Sequence, residues 1–302
     1  MKSRLMLALL LICIACNRDA SATKTGFDGA AAYNYAKAQV AFGPRVPGTP
    51  AAQRAGDWII AQMKRRADQI IVQSFDHTTA DGKVLHLRNI IARFRPELPE
   101  RILYLTHWDS RPVSESAPTP EERRLPVLGA NDGASGVGLF IALGDYLKKH
   151  RPNVGVDLLF TDGEDYGTFG PPNVDVLIGA EYFAAHPLAP GYRPLFGVLW
   201  DMIGDKDLRI TQEGNSVSQA PEVVQRVWDV AAELGHASVF VPEAGYSITD
   251  DHTPLLQAGM RVIDVIDYDY PPHHTQHDTM DKISATSLGI VGDVAVGVIN
   301  RQ

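Results

Sequence analysis

The sequence predicts a three-layer α/β/α domain on a mixed, mainly parallel central sheet, and three observations lead there. Short, mostly apolar runs of strand length, Ile102–Thr106, Val156–Phe160, Leu195–Trp200 and Arg261–Ile266, alternate with stretches of helical spacing. Several of these runs end in turns rich in carboxylates and histidines, as in open α/β sheets that keep their sites at the carboxyl edge. The 302 residues are 45% hydrophobic and 21% charged, a composition able to bury one full core. A single catalytic domain is expected over residues 27–302.

Met1 to Cys16 read MKSRLMLALLLICIAC: Lys2 and Arg4, an apolar run from Leu5 to Ile14, then a small residue and a cysteine. That is the pattern of an export signal, too short to span a bilayer and without polar positions for an amphipathic helix. Ile14–Ala15–Cys16 resembles a bacterial lipoprotein box, which makes Cys16 the lipidated N-terminus of a periplasmic protein. Cys13 stands where such boxes usually have Leu, and simple signal cleavage is the alternative. Residues 17–26 are small and polar and read as a tether. Cys13 and Cys16 are the only cysteines, so the folded domain has no disulfide and any metal must be held by His and carboxylate. A net charge of −8 without a Lys/Arg stripe argues against nucleic acid. A monomer is expected, touching the membrane only through its lipid.

Asp28 is placed to cap a helix to about Phe42, ended by Gly43–Pro44, and a second helix runs from about Ala51 to Arg66. Ile70–Phe75 and Leu85–Phe94 read as strands joined through Asp81–Gly82. After the strand Ile102–Thr106 comes a charged loop, Arg111–Pro126, that reads as a surface excursion near the site. A helix over Ala134–Lys149, the strand Val156–Phe160 and the strand Leu195–Trp200 follow. Asp207–Thr211 is a further short run, Pro221–Leu234 a helix with Pro at its start, and Asp250–Pro254 the opening of a short helix ended by Gly259. Arg261–Ile266 is the last central strand, and Ser284 caps a closing helix.

Four clusters sit at strand ends: His107–Trp108–Asp109, Ala130–Asn131–Asp132, Glu164–Asp165, and HHTQHD at 273–278. Singly, Glu164–Asp165 reads as an acidic surface loop and Asp132 as a helix cap. Jointly they supply the nitrogen and carboxylate ligands of a zinc site. His107, Asp132, Asp165, Asp201 and His274 are enough for two ions if Asp132 bridges them, and Glu164 then has the place of the general base.

In that order His107–Ser110, Gly129–Gly136, Asp162–Asp165, Asp250–His252 and His274–Thr279 resemble the successive motifs of the zinc aminopeptidase superfamily, from about Phe42 to the last helix. Within it the chain is most similar to animal-type glutaminyl-peptide cyclotransferases in their bacterial form, which convert N-terminal Gln to pyroglutamate and release ammonia. The resemblance implies Asp132, Asp165 and His274 as ligands of the catalytic zinc, Glu164 as proton shuttle, Asp109 as the group that orients His107, and Asp201 and Asp250 as catalytic carboxylates. His107 and Asp201 match the second-metal ligands of two-zinc aminopeptidases, whereas the cyclases keep these residues and use one zinc. Asp250 is where the two patterns part, since aminopeptidases usually carry a small residue before the Asp-His pair. In the cyclases this carboxylate joins the hydrogen-bond network around the shuttle.

Asp165 replaces the Glu of animal cyclases, His273 a pocket Trp and Asp264 a pocket His; His277 reads as a surface or supporting imidazole. Peptide or protein N-termini are the implied substrates. Hydrolysis of N-terminal residues, with Glu164 activating water and two zinc ions, is the alternative activity. A metal-stabilised binding lipoprotein is a third class, but it has no need of Glu164.

Overall fold

The computed structural model describes residues 25–302, so the export signal, Cys16 and residues 17–24 lie outside it. Thr25 is already docked, its backbone N–H donating to Asp293 Oδ1 at 3.1 Å and its hydroxyl to the same oxygen at 2.5 Å. Thr25, inside the stretch assigned to the tether, is thus held by the last helix.

Helix α1 (Gly29–Val40) starts where Asp28 accepts a hydrogen bond from Ala31 N, and α2 (Pro50–Lys64) starts at Thr49 with Pro at its first position. Strands β1 (Gln69–Thr78) and β2 (Val84–Phe94) form the expected antiparallel hairpin. Strand β3 (Arg101–His107), helix α3 (Ala134–Lys149) and strand β4 (Gly155–Thr161) make the first crossover, β3 and β4 pairing in parallel.

The next segments contain elements that the sequence had not disclosed. They are α4 (Ile178–Ala185), before β5 (Gly197–Asp201), and α5 (Gly214–Gln219), which follows β6 (Ile210–Gln212). After α6 (Pro221–Glu233) comes β7 (Phe240–Ala244), also unforeseen, paired with β6 in a separate two-stranded ribbon. Helix α7 (His252–Gln257), strand β8 (Val262–Ile266) and helix α8 (Ala285–Asn300) complete the chain.

The central sheet has the order β1-β2-β4-β3-β5-β8, with β4, β3, β5 and β8 parallel and the hairpin antiparallel at one edge. Its side chains alternate between two covered faces. Tyr104, Leu158, Phe160, Val198 and Trp200 pack towards α2, α3, α6 and α8, while Leu103, Leu105, Leu159 and Leu199 meet Ala180 and Phe183 of α4 and Leu255 of α7. Every parallel strand is wholly buried, so its polar backbone is satisfied by pairing and its chemistry is confined to its carboxyl end.

Candidate active site

The ends of β3, β4 and β5 deliver His107, the Glu164–Asp165 turn and Asp201 to one edge of the sheet. Gly163 makes that turn possible by taking a φ of +73°, open to glycine at little cost. Asp109 fixes it, accepting from the backbone N–H of Glu164 at 3.2 Å and of Asp165 at 3.1 Å, while its Oδ1 lies 3.4 Å from His107 Nδ1.

Asp132 precedes α3 but does not cap it: the cap is Gly133, and no side chain bonds the free N–H groups there. Glycine is required because a Cβ would fall 2.5 Å from His107 Nε2. Asp132 is set from behind by Asp278, whose carboxylate accepts from Asn131 N at 2.8 Å, Asp132 N at 3.1 Å and the Tyr270 hydroxyl at 2.8 Å.

Two groups of side chains converge on Asp132. On one side, His274 Nε2 lies 3.7 Å from Asp132 Oδ2 and 3.5 Å from Asp165 Oδ1. On the other, His107 Nε2 lies 2.9 Å from Asp132 Oδ1 and 3.3 Å from Asp201 Oδ1. Ligands held tetrahedrally at about 2.1 Å from an ion stand about 3.4 Å apart, so the His107, Asp132 and Asp201 separations suit a divalent cation, whereas Asp165, whose Oδ1 is bound by Arg111, belongs to neither group of side chains close enough to hold one. Asp165 Oδ2 and both ring nitrogens of His107 are buried without a hydrogen-bond partner, the short His107 contacts being off-axis. Orphaned donor atoms facing other ligands are what a metal would satisfy. His273, which the sequence had placed in the pocket wall, comes within 4.0 Å of Asp132 Oδ2 and forms, with Asp132 and His274, the second of the two metal-capable groups among the described residues. His277 is exposed.

The loop expected to be a surface excursion contributes directly to the site. Arg111 is buried, with Nη1 2.5 Å from Asp165 Oδ1 and Nη2 2.6 Å from Glu115 Oε1, and the same Glu115 oxygen lies 2.8 Å from His274 Nδ1. Sequence reasoning missed Arg111, Glu115 and the clamping role of Asp278. The only signal for the first two was their position directly after the His107–Ser110 motif.

Glu164 and Asp250 line the floor of a cavity of about 950 Å³, together with Asp132, Asp201 and His274. Burial pushes the Glu164 carboxyl well above its usual range, against the pull of His107, and Asp165, Asp250 and Asp251 push the same way. Burial and then Asp132 raise Asp165 to about 7; burial and then Asp201 raise Asp250 to about 7. Asp132 is held well below the usual range, because His107, His274 and His273 outweigh its burial. Asp250 does not cap α7: its Oδ1 accepts from the neighbouring Asp251 N at 2.5 Å, and Thr253 N bonds its carbonyl instead. Nor does Asp250 hydrogen-bond Glu164 among the described residues. The expected network is thus an electrostatic coupling across the cavity floor. Asp251 and His252 sit behind it, with the Thr161 hydroxyl donating to Asp251 Oδ2.

A glutaminyl cyclase of Bacteroides thetaiotaomicron superposes with a TM-score of 0.89 at 35% identity, over 93% of this chain and 100% of that one. A leucine aminopeptidase precursor from the same species has the same TM-score and identity, over 93% and 99%. The Bos taurus glutaminyl-peptide cyclotransferase is 26% identical over 276 residues, 81% of this chain and 74% of that protein. A fungal probable zinc metalloprotease from Leptosphaeria maculans is longer, and the chain spans 58% of its length at 27% identity, with 75% of this chain matched. Residues 89–299, well over half of the chain, match the family model of peptidase family M28, and the chain belongs to that family.

Proposed function

We propose that the protein is a zinc-dependent glutaminyl-peptide cyclotransferase acting on the N-terminal Gln of peptides or proteins. The observation that carries this reading is the buried Glu164 carboxyl sharing the cavity floor with a second carboxyl, Asp250, beside the metal-binding cluster. The whole-length likeness to the Bacteroides thetaiotaomicron cyclase supports it.

Asp132, Asp165 and His274 would hold the ion, whose chemistry is to polarise the γ-carboxamide carbonyl of the substrate Gln. Glu164 does the proton work. Its carboxylate takes a proton from the α-amine as the amine nitrogen bonds to the side-chain carboxamide carbon, Cδ, and returns it to the amide nitrogen as the bond from Cδ to that nitrogen breaks and it leaves as ammonia. A carboxyl held above its ordinary range by burial is a better base when ionised and still a usable acid, which suits one group to both transfers. Asp250 stays near neutrality in its own titration and so keeps the negative charge beside Glu164 adjustable.

Hydrolysis of the N-terminal residue is the second reading, favoured by one observation: His107, Asp132 and Asp201 form a metal-capable group of their own. A Gln-initiated peptide decides between them. Product lighter by one ammonia supports cyclisation; release of free Gln overturns it in favour of the aminopeptidase, and zinc content near one or two ions per chain should agree with the outcome.

The enzyme is exported and anchored through Cys16, in keeping with the lipoprotein-like leader. No described helix is long and apolar enough to cross a membrane. Cys16→Ser should move the protein from the membrane to the soluble fraction; unchanged fractionation would refute the anchor.

A further inference from the structure

The catalytic cavity, at about 950 Å³, is at the upper end of the range for pockets that enclose a small organic molecule, so an N-terminal Gln leaves part of it unfilled. A row of rings lines the remainder. The His274 and His273 rings stand 3.8 Å apart, His273 and Tyr268 5.5 Å, and Tyr268 and Tyr246 5.5 Å. Exposure rises along the row, from 14% and 25% for the two histidine side chains to 41% for Tyr268 and 58% for Tyr246, so the row runs from the metal-binding cluster to the mouth.

The two tyrosines stand just beyond β8 and β7 on backbone that is tied down. Gly214 N donates to the Tyr246 carbonyl at 2.8 Å and Gly245 N to the Gln212 carbonyl at 2.7 Å, while Asp267, next to Tyr268, accepts from Arg209 N at 3.0 Å. Their rings are therefore held at the mouth before any ligand arrives, which lowers the ordering cost of binding. Two neighbouring rings left in water also offer apolar area that a ligand can cover.

Charge narrows the choice of ligand. Arg111 is the only Lys or Arg in the lining among the described residues, and Asp165 and Glu115 occupy it. An acidic side chain entering along the row meets no unpaired Lys or Arg, and the carboxylates of the floor repel it. An aromatic side chain meets ring faces and edges at the spacing such pairs prefer.

We propose that Tyr268 and Tyr246 select substrates whose second residue, directly after the N-terminal Gln, carries an aromatic side chain. Consecutive Cα atoms stand about 3.8 Å apart, so with the Gln carboxamide at His274 the second side chain comes level with the tyrosines. This rests on the reading of the floor as the site of an N-terminal Gln.

The amidated peptides Gln-Phe-Ala, Gln-Gly-Ala and Gln-Glu-Ala test it on the zinc-loaded full chain. Gln-Phe-Ala should have a kcat/KM about tenfold above that of Gln-Gly-Ala, the difference lying in KM, and Gln-Glu-Ala should be poorest. Tyr268→Ala and Tyr246→Ala, both at exposed positions, should each reduce the preference for Phe over Gly about threefold. Calorimetry on zinc-loaded Glu164→Gln should give the same order of affinities without turnover. Equal affinity for the Phe and Gly peptides, or a preference unchanged in both tyrosine variants, overturns the proposal, and pyroglutamate formation then leaves the cyclase reading standing. Release of free Gln overturns the cyclase reading, while the calorimetric order still decides this one. Absence of binding by all three peptides overturns both.

Discussion

Glu115→Ala tests how the site is held together, because one carboxylate joins two of the expected ligands. Glu115 Oε1 lies 2.8 Å from His274 Nδ1, and the same group takes two contacts of 2.6 Å from Arg111, which in turn holds Asp165 at 2.5 Å. By accepting at Nδ1, Glu115 fixes the tautomer that leaves His274 Nε2 free to face Asp132 and Asp165. Loss of such a partner costs about 10–100-fold in metal affinity, equivalent to about 1.4–2.7 kcal/mol. Arg111 keeps Asp165 as a partner, so the fold should survive. Competition for zinc against a chromophoric chelator measures the effect directly, with circular dichroism to confirm folding. Glu115→Gln retains an acceptor oxygen and should lose less than Glu115→Ala. If Glu115→Ala binds zinc as tightly as the wild type, the role of Glu115 in orienting His274 as a ligand is refuted.

Three further outcomes are expected. Glu164→Gln should keep its zinc and its melting temperature while turnover falls by about 10²–10⁴-fold, since a carboxamide cannot shuttle protons; steady-state kinetics showing near wild-type activity would remove Glu164 from the mechanism. Asp250→Asn keeps an oxygen for Asp251 N, so melting should be unchanged while cyclisation falls by about 10²-fold or more, and an Asn variant as active as the wild type would refute the coupling to Glu164. Glu213 caps α5, and although burial opposes its charge, His252, Ser216 and Ile248 N hold its carboxyl down to about 2. A folded-state value below the ordinary 4.5 contributes stability that is complete above about pH 4.5 and is lost as pH falls towards 2. Glu213→Gln should therefore melt lower than the wild type at pH 6 and show a flatter pH dependence between pH 4.5 and 2; identical melting curves over that range would exclude this contribution.

The fold was legible where a single kind of signal dominated. The parallel strands are continuous apolar runs because both of their faces are covered, and α1 and α8 announce themselves through Asp28 and Ser284 at their starts. The missed elements lack such marks. Helix α4 begins at Leu177, in a left-handed conformation without a side-chain cap, and its eight residues are stabilised by packing on the sheet and on α7. Strand β7 contains Pro242 and is largely exposed, so its propensity argues against it, and only pairing with β6 makes it a strand.

In the site, residue types were legible and relations between them were not. His107, Asp165 and Asp201 could be singled out because each ends or closely follows an apolar run that the sheet brings to one edge, whereas Asp132 and His274, also expected at strand ends, lie instead before α3 and in a turn beyond β8. Which carboxylate meets which partner depends instead on contacts across large sequence distances: Asp278 on Asp132, Glu115 on His274, Asp109 on the Glu164 turn. Asp264 shows the limit most clearly. Similarity put it in the pocket, yet it does not line the cavity; it is fully buried, neither carboxylate oxygen has a partner, and after burial itself Asp250 and Asp201 do most to raise its titration. Burial first, and then one another's charge, push Glu164, Asp165, Asp250, Asp251 and Asp264 upward together. The fold thus concentrates more acid than its own arginines and histidines neutralise. A cation held by His107, Asp132 and Asp201 would offset part of that excess.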